Sequence, residues 1–300
     1  MTTPPVLHQF SYDYIRDALK SVGLKAKDKV LVHSSLKSVV PDDTQRHTLP
    51  DGGMPVILQA LKDVLTDKGL LIFPTFSPSW AREGKDTVVF EGPGTRTWLG
   101  AFPDFIVKQK DFFRSGHPTH NLSAWGTGAK DFVKNHHYSK PVFAKTTPWG
   151  ELYRRDVKIL MLGTWLNSCT AVHLAEEWLG LPYMTPEEPV RIRENGEVKV
   201  VNALRMPGGP RDFYKKKGSK IEQRLLKECP GIFSYFQAGA CKLSLVRFRD
   251  LVGKDIEFHY DDPLLLLNDP TQCPFAKQYA EATVNVMRKR KRGDWKEGLE

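Results

Sequence analysis

Apolar residues recur along this chain in two rhythms. Short continuous runs at Lys29-Val-Leu-Val-His33, Leu70-Leu-Ile-Phe73 and Val157-Lys-Ile-Leu-Met-Leu-Gly163 read as buried strands, each bounded by turn-forming residues. Between them the spacing becomes helical. Ile15, Ala18, Leu19 and Val22 share one face of a helix predicted over Ser11–Leu24, which Gly23 can close. After the Asp51-Gly52-Gly53 turn, Pro55 marks a second helix start, with Ile57, Leu58, Leu61, Val64 and Leu65 as its apolar face and Gly69 as its C-cap. A third helix is predicted from Thr170, its N-cap, to Leu179, ending at Gly180. Arg191 to Val201, with Asn195-Gly196 at its middle, reads as a β-hairpin. Ser77 to Arg114 is rich in Gly, Pro and aromatic residues and reads as a long irregular excursion of the kind that shapes substrate sites. Pro263-Leu-Leu-Leu-Leu267 must be buried or paired, and Ala276 to Met287 reads as a closing helix. The alternation predicts an α/β fold with a mixed central sheet, flanking helices and an added antiparallel part.

Composition narrows the class. The chain has 300 residues, 40% hydrophobic and 26% charged, with no repeat or low-complexity linker, so one domain over residues 1–300 is expected. No apolar run approaches the ~18 residues that span a bilayer, and Met-Thr-Thr-Pro-Pro is unlike a secretory signal. A cytoplasmic protein without membrane contact is the expectation. Cys169, Cys229, Cys241 and Cys273 lie far apart with no C-x-x-C pair, so free and mostly buried thiols are expected. The net charge of +9 comes from 44 basic and 35 acidic residues that are interspersed along most of the chain. Two basic clusters stand out, Lys215–Lys217 with Lys220 and Arg288–Arg292, and both read as solvated surface, the second as a solvated or frayed segment. A nucleic-acid reading needs stacking aromatics among those cations, and Trp295 alone fits. The basic excess suits an enzyme whose cosubstrate carries several phosphates.

The most informative segment for chemistry is Asn167-Ser-Cys-Thr-Ala-Val-His-Leu-Ala-Glu-Glu-Trp178. Glu176 and Glu177 lie three and four residues beyond His173, so either can share its helix face. A carboxylate there would fix the imidazole tautomer and stabilise the imidazolium, as a general base requires. The same spacing also describes a surface helix carrying acids and one histidine. Hydroxyls follow two buried strands, in His33-Ser34-Ser35-Leu36 and Thr75-Phe-Ser77, where α/β sheets gather ligands. His117, His120, His136 and His137 lack the two-histidine spacing of a metalloprotease helix, and the adjacent His136 and His137 are expected in solvent, so no metal is expected. Dinucleotide, P-loop and nucleophile-elbow motifs are absent.

In order, these segments resemble the aminoglycoside 3-N-acetyltransferase family, also called the antibiotic N-acetyltransferases. The matching blocks are Leu31-Val-His-Ser-Ser-Leu36, Gly69-Leu-Leu-Ile-Phe-Pro-Thr-Phe76, Arg114-Ser-Gly-His-Pro118, Ser123-Ala-Trp-Gly126, Pro148-Trp-Gly-Glu-Leu152, Ile159-Leu-Met-Leu-Gly163 and Thr170-Ala-Val-His-Leu-Ala-Glu176. The similarity covers about residues 8–260 and leaves 261–300 as a C-terminal extension. It implies the mixed-sheet fold of that family, acetyl-CoA as cosubstrate and a small-molecule amine as acceptor. It further implies His173 as the base, Glu176 as its partner, and a CoA-contacting loop at His33, Ser34, Ser35 and Leu36 with Thr75 and Ser77 beside it. On the acceptor side stand His117, Thr170, Glu177 and Asp212, with Glu151 a further acid near the blocks. Aminoglycosides are polycations whereas this chain is basic, so a biosynthetic amine is the alternative acceptor.

Overall fold

The computed structural model describes residues 11–36, 52–79, 81, 88–184, 187–204, 219–238 and 241–299. Asp212 and the Lys215–Lys217 cluster fall outside them. Three parallel strands form the middle of a seven-stranded sheet: β1 (Lys29–Ser34) lies between β2 (Leu70–Pro74) and β5 (Lys158–Leu162). On the β2 side, β4 (Leu122–Gly126) and then β3 (Phe113–Arg114) add antiparallel. On the β5 side, β9 (Cys241–Arg247) and β8 (Ser234–Ala238) do the same, giving the order β3-β4-β2-β1-β5-β9-β8. The fold is therefore α/β with a mixed sheet. A separate hairpin, β6 (Glu187–Glu194) and β7 (Glu197–Leu204), turns at Asn195 and Gly196, both at positive φ as a two-residue turn demands.

The parallel strands are continuous apolar runs because both of their faces are buried. Val30, Val32, Leu71, Phe73, Leu160 and Leu162 pack toward one side. Helices α1 (Tyr12–Ser21), α2 (Gly53–Leu65) and α3 (Ala101–Val107) cover that side with Leu19, Leu61 and Phe102. Leu31, Leu70, Ile72, Ile159 and Met161 face the other way, as the two-residue period of a strand requires. There they meet α4 (Ala129–Phe132), α5 (Pro148–Arg154), α6 (Val172–Trp178), α7 (Lys220–Glu228), α8 (Phe248–Asp261) and α9 (Pro274–Lys289) in one core that includes Phe132, Trp149, Leu174, Leu225, Phe248 and Ala276.

Local details correct the sequence expectations in several places. Helix α2 stops at Thr66, which takes φ 61°, so Gly69 is not its C-cap. Gly69 is instead a point of close approach: a Cβ there would come within 2.8 Å of the carbonyl oxygens of Asp28 and Leu65. The excursion after Ser77 is not wholly irregular, since it contains α3 and β3. Helix α6 begins at Val172 with Ala171, not Thr170, at the cap position. His136 is 4% exposed rather than solvated, because it folds under the Arg114–Pro118 block, where its Nδ1 meets the Ser115 hydroxyl at 2.8 Å. Its neighbour His137 is exposed.

Arg288, Lys289, Lys291 and Arg292 are exposed, as expected of a solvated cluster, but the segment around them is not frayed. Leu265, Leu266, Leu267, Ala276 and Met287 join the same core as α6. Past the basic run, Trp295 is buried between Trp178 and Tyr153. Arg292 pairs with Asp261, and the Arg290 guanidinium lies against Gly180.

Candidate functional site

A cleft of about 310 Å³ opens at the carboxyl ends of β1 and β2, beside the start of α6. Val32, Pro74, Phe76, Trp98, Leu99 and Pro103 give it apolar walls. His33, Ser34, His120, Asn167, Ser168, Thr170 and His173 bring polar groups to it. This is where open α/β sheets hold ligands: strands end there, and their last side chains are not covered by the next crossover.

His173 is in the first turn of α6 and is 3% exposed. Its Nδ1 lies 2.6 Å from Oε2 of the fully buried Glu176. The i, i+3 spacing puts the two side chains on one helix face, so backbone geometry alone brings them together. A donating Nδ1–H fixes the tautomer and leaves Nε2 as the ring's other nitrogen. Glu177 does not join this couple. Its Oε2 accepts the Phe143 backbone N–H at 3.1 Å, and burial pushes its carboxyl up to about 7. The next residue, Trp178, donates its Nε1–H to the Phe143 carbonyl at 2.7 Å. Both backbone groups of Phe143 are thereby clamped, and its ring stands 6.2 Å from the His173 ring.

Beneath Glu176, α8 contributes a pair that spacing in the sequence did not disclose. Asp255 and His259 are both fully buried, with His259 Nδ1 3.3 Å from Asp255 Oδ1. Burial holds the Asp255 carboxyl up to about 6, and the charge of Glu176 adds to that.

The strand-end residues divide. His33 and Ser34 line the cleft, and His33 Nε2 and Ser34 Oγ are sealed from solvent with no hydrogen-bond partner among the described residues. Burial brings the His33 imidazole down to about 4. Ser35 continues the sheet, its N–H donating to the Leu162 carbonyl at 2.9 Å, and Leu36 is half-buried just beyond. Thr75 and Ser77 are fully buried, and neither is among the residues that line the cleft. The Thr75 hydroxyl meets Ser123 Oγ at 3.0 Å, and Ser77 Oγ accepts from Arg114 at 2.9 Å. Arg114 itself is a structural anchor that the sequence reading passed over. Its guanidinium also donates to the carbonyls of Pro93, Thr95 and Thr75 and to Asn121 Oδ1, so it ties the end of β2 to two loops.

His117 is fully buried and does not line the cleft. Its Nδ1 accepts the backbone N–H of Thr119 and His120, its Nε2–H donates to the Leu204 carbonyl at 3.2 Å, and burial brings it down to about 4. The histidine of that block that reaches the cleft is His120, three residues on, with its ring 4.7 Å from Phe76. The repeated histidine in His-Pro-Thr-His was the available signal. Thr170 lines the cleft, and its carbonyl accepts the His173 N–H at 3.1 Å. Glu151 is committed to Arg154 and Arg155. Among the described residues, no group of three or more His, Cys, Asp or Glu is placed to hold a metal ion.

Comparison with known proteins places this geometry. The family model for aminoglycoside 3-N-acetyltransferase matches residues 31–257. The aminoglycoside N(3')-acetyltransferase-like protein YokD of Bacillus subtilis (strain 168) is 31% identical over 180 residues, which span 54% of this chain and 63% of that protein. Aminoglycoside N(3)-acetyltransferase IV of Salmonella sp is 28% identical over 255 residues, covering 84% and 88% of the two chains. Among solved structures, aminoglycoside acetyltransferase AAC(3)-IVa, crystallised as a mutant in complex with a gentamicin, superposes with a TM-score of 0.73. It shares 24% identity over 91% of this chain and 98% of that one, a likeness of fold. The chain belongs to the aminoglycoside 3-N-acetyltransferase family.

Proposed function

We propose that this protein is an N-acetyltransferase that moves an acetyl group from acetyl-CoA to the 3-amino group of an aminoglycoside, with His173 as general base. The observation that carries the reading is the buried His173–Glu176 couple opening on a cleft at the carboxyl ends of the strands. A protonated amine cannot attack a thioester, so the reaction needs a group that removes its proton near neutrality. Glu176 holds the imidazole in one tautomer and balances its charge once the proton has moved. The amine proton passes to His173 as the amine nitrogen bonds to the acetyl carbon, which becomes tetrahedral. The bond from that carbon to sulfur then breaks, and the sulfur takes the proton from the His173 imidazolium and leaves as CoASH.

The donor fits the residues present. Ser34 Oγ and His33 Nε2 are buried polar atoms without partners among the described residues, and the walls around them are apolar. Such a lining suits the alkyl segments of a pantetheine arm and the carbonyl groups along it, that of the thioester included. Bound there, acetyl-CoA would supply an activated acetyl thioester. A relative of the same fold, AAC-IIIb, has been solved with CoASH. Family membership supports an aminoglycoside as acceptor, and relatives have been solved with a gentamicin and with sisomicin. All four cysteines are free thiols, which suits the reducing cytosol. No helix among the described residues is long and apolar enough to cross a membrane.

The test is acetyl-CoA consumption measured over a panel of aminoglycosides and simple amines. Turnover with aminoglycosides supports the full reading. Turnover confined to other amines would keep the acetyl transfer and replace the acceptor.

A further inference from the structure

Three histidines line the cleft, and two of them, His173 and His33, have opposite surroundings. His173 sits against a carboxylate. His33 lies at the end of β1, on the strand face that Leu31 shares with Ile159 and Met161 and that α6 covers. It is 6% exposed, and its Nε2 has no partner among the described residues. An imidazole deprived of both water and a counter-charge stays neutral, and burial is the single cause that brings His33 down to about 4. Two imidazoles set in such different surroundings take different roles in acid–base chemistry.

We propose that His33 is a second catalytic histidine, a neutral imidazole that donates a hydrogen bond to the carbonyl oxygen of the acetyl thioester as negative charge grows there. This deepens the reading of His173 as base and rests on it. When the amine attacks, the carbonyl carbon becomes tetrahedral and its oxygen gains charge, which a donor fixed in a desolvated site stabilises more than water does. A neutral imidazole carries one N–H for that task and, unlike an imidazolium, does not repel the proton arriving at His173. His33 makes no covalent bond and gains or loses no proton. The polar atom left unpaired in the protein is explained by a ligand that pairs with it.

The test has two readouts. In the wild-type protein, ¹⁵N NMR of the histidine rings should show His33 neutral at about pH 6 and above. Its shift should change on adding acetyl-CoA and change much less on adding CoASH, which has no carbonyl at that place. In kinetics, His33→Leu should lower kcat roughly 10²–10³-fold, the worth of one oxyanion donor. His33→Gln, which retains an N–H donor, should lose markedly less and keep the acidic limb of the pH profile in place. A His33 ring that is protonated near neutrality, or that responds equally to both ligands, would overturn the proposal. So would equal losses in the two variants. If no amine is acetylated by the wild-type protein, the function reading fails, and the ligand-dependent NMR shift still decides whether His33 meets the acetyl carbonyl.

Discussion

The indole of Trp295 stacks on that of Trp178 with ring centroids 6.1 Å apart and planes 20° apart. Trp178 belongs to the same short helix as His173 and Glu176, so the last turn of the chain buttresses the helix that carries the candidate base. Trp295→Ala should therefore cost on the order of 3–5 kcal/mol of stability, the usual range for removing a buried indole. Truncation before Trp295 should act similarly. Denaturant titration checks this, and an unchanged midpoint would mean that the tail is dispensable after all.

Three buried histidines predict a loss of stability in acid. His33 and His117 are each brought down to about 4 by burial, and His136 is held well below its ordinary value. In the unfolded chain each takes a proton near pH ~6.5. Between about pH 6.5 and 4 the unfolded state thus binds more protons than the folded one, so stability rises with pH across that window and is lost as pH falls. Stability measured from pH ~7 to ~4.5 should decline, and His136→Gln should flatten the decline. A decline as steep in that variant would remove His136 from the cause.

The two adjacent glutamates should behave differently. Glu176→Gln should lower kcat and move the acidic limb of the rate profile to lower pH, because the imidazolium loses its counter-charge. Glu177→Gln can still accept the Phe143 N–H, so kcat should change little. Its effect should appear in stability. Burial raises the Glu177 carboxyl to about 7, so its contribution is present below the unfolded value of about 4.5 and is lost as pH rises through about 7. The Gln variant should therefore gain about 1–3 kcal/mol on the wild type between pH ~5 and ~8, after allowance for partial exposure. Equal kinetic effects at the two positions would show that the wrong acid was placed beside the base.

Much of this arrangement was legible in the sequence because it depends on local periodicity. The three parallel strands are apolar on both faces, and the spacing of His173 and Glu176 fixes a shared helix face whatever surrounds it. What was not legible depends on contacts between distant segments. His136 and His137 are equally polar in sequence, and only the fold over Ser115 decides which is buried. Thr75 and Ser77 looked like ligand hydroxyls until Arg114 and Ser123 arrived to occupy them. Asp255 and His259 have an ordinary helical spacing that gains meaning only when α8 packs beneath α6.

The division among strand-end hydroxyls gives a kinetic test. Ser34→Ala should raise the KM for acetyl-CoA roughly two- to tenfold, the worth of one hydrogen bond, and should leave the acceptor KM unchanged. Thr75→Ala should instead lower stability, since its hydroxyl is paired with Ser123 inside the protein. A donor KM that responds to Thr75 and not to Ser34 would move the donor site to the other strand end.

The most direct test is the steady-state turnover of His173→Ala with an acceptor that the wild-type protein acetylates well, paired with calorimetric binding of acetyl-CoA to the same variant. Because His173 has its tautomer set by Glu176 and lines the cleft, kcat should fall on the order of 10²–10⁴-fold, as removal of a general base does, while acetyl-CoA still binds. Near-normal turnover in His173→Ala would contradict the assignment of the base.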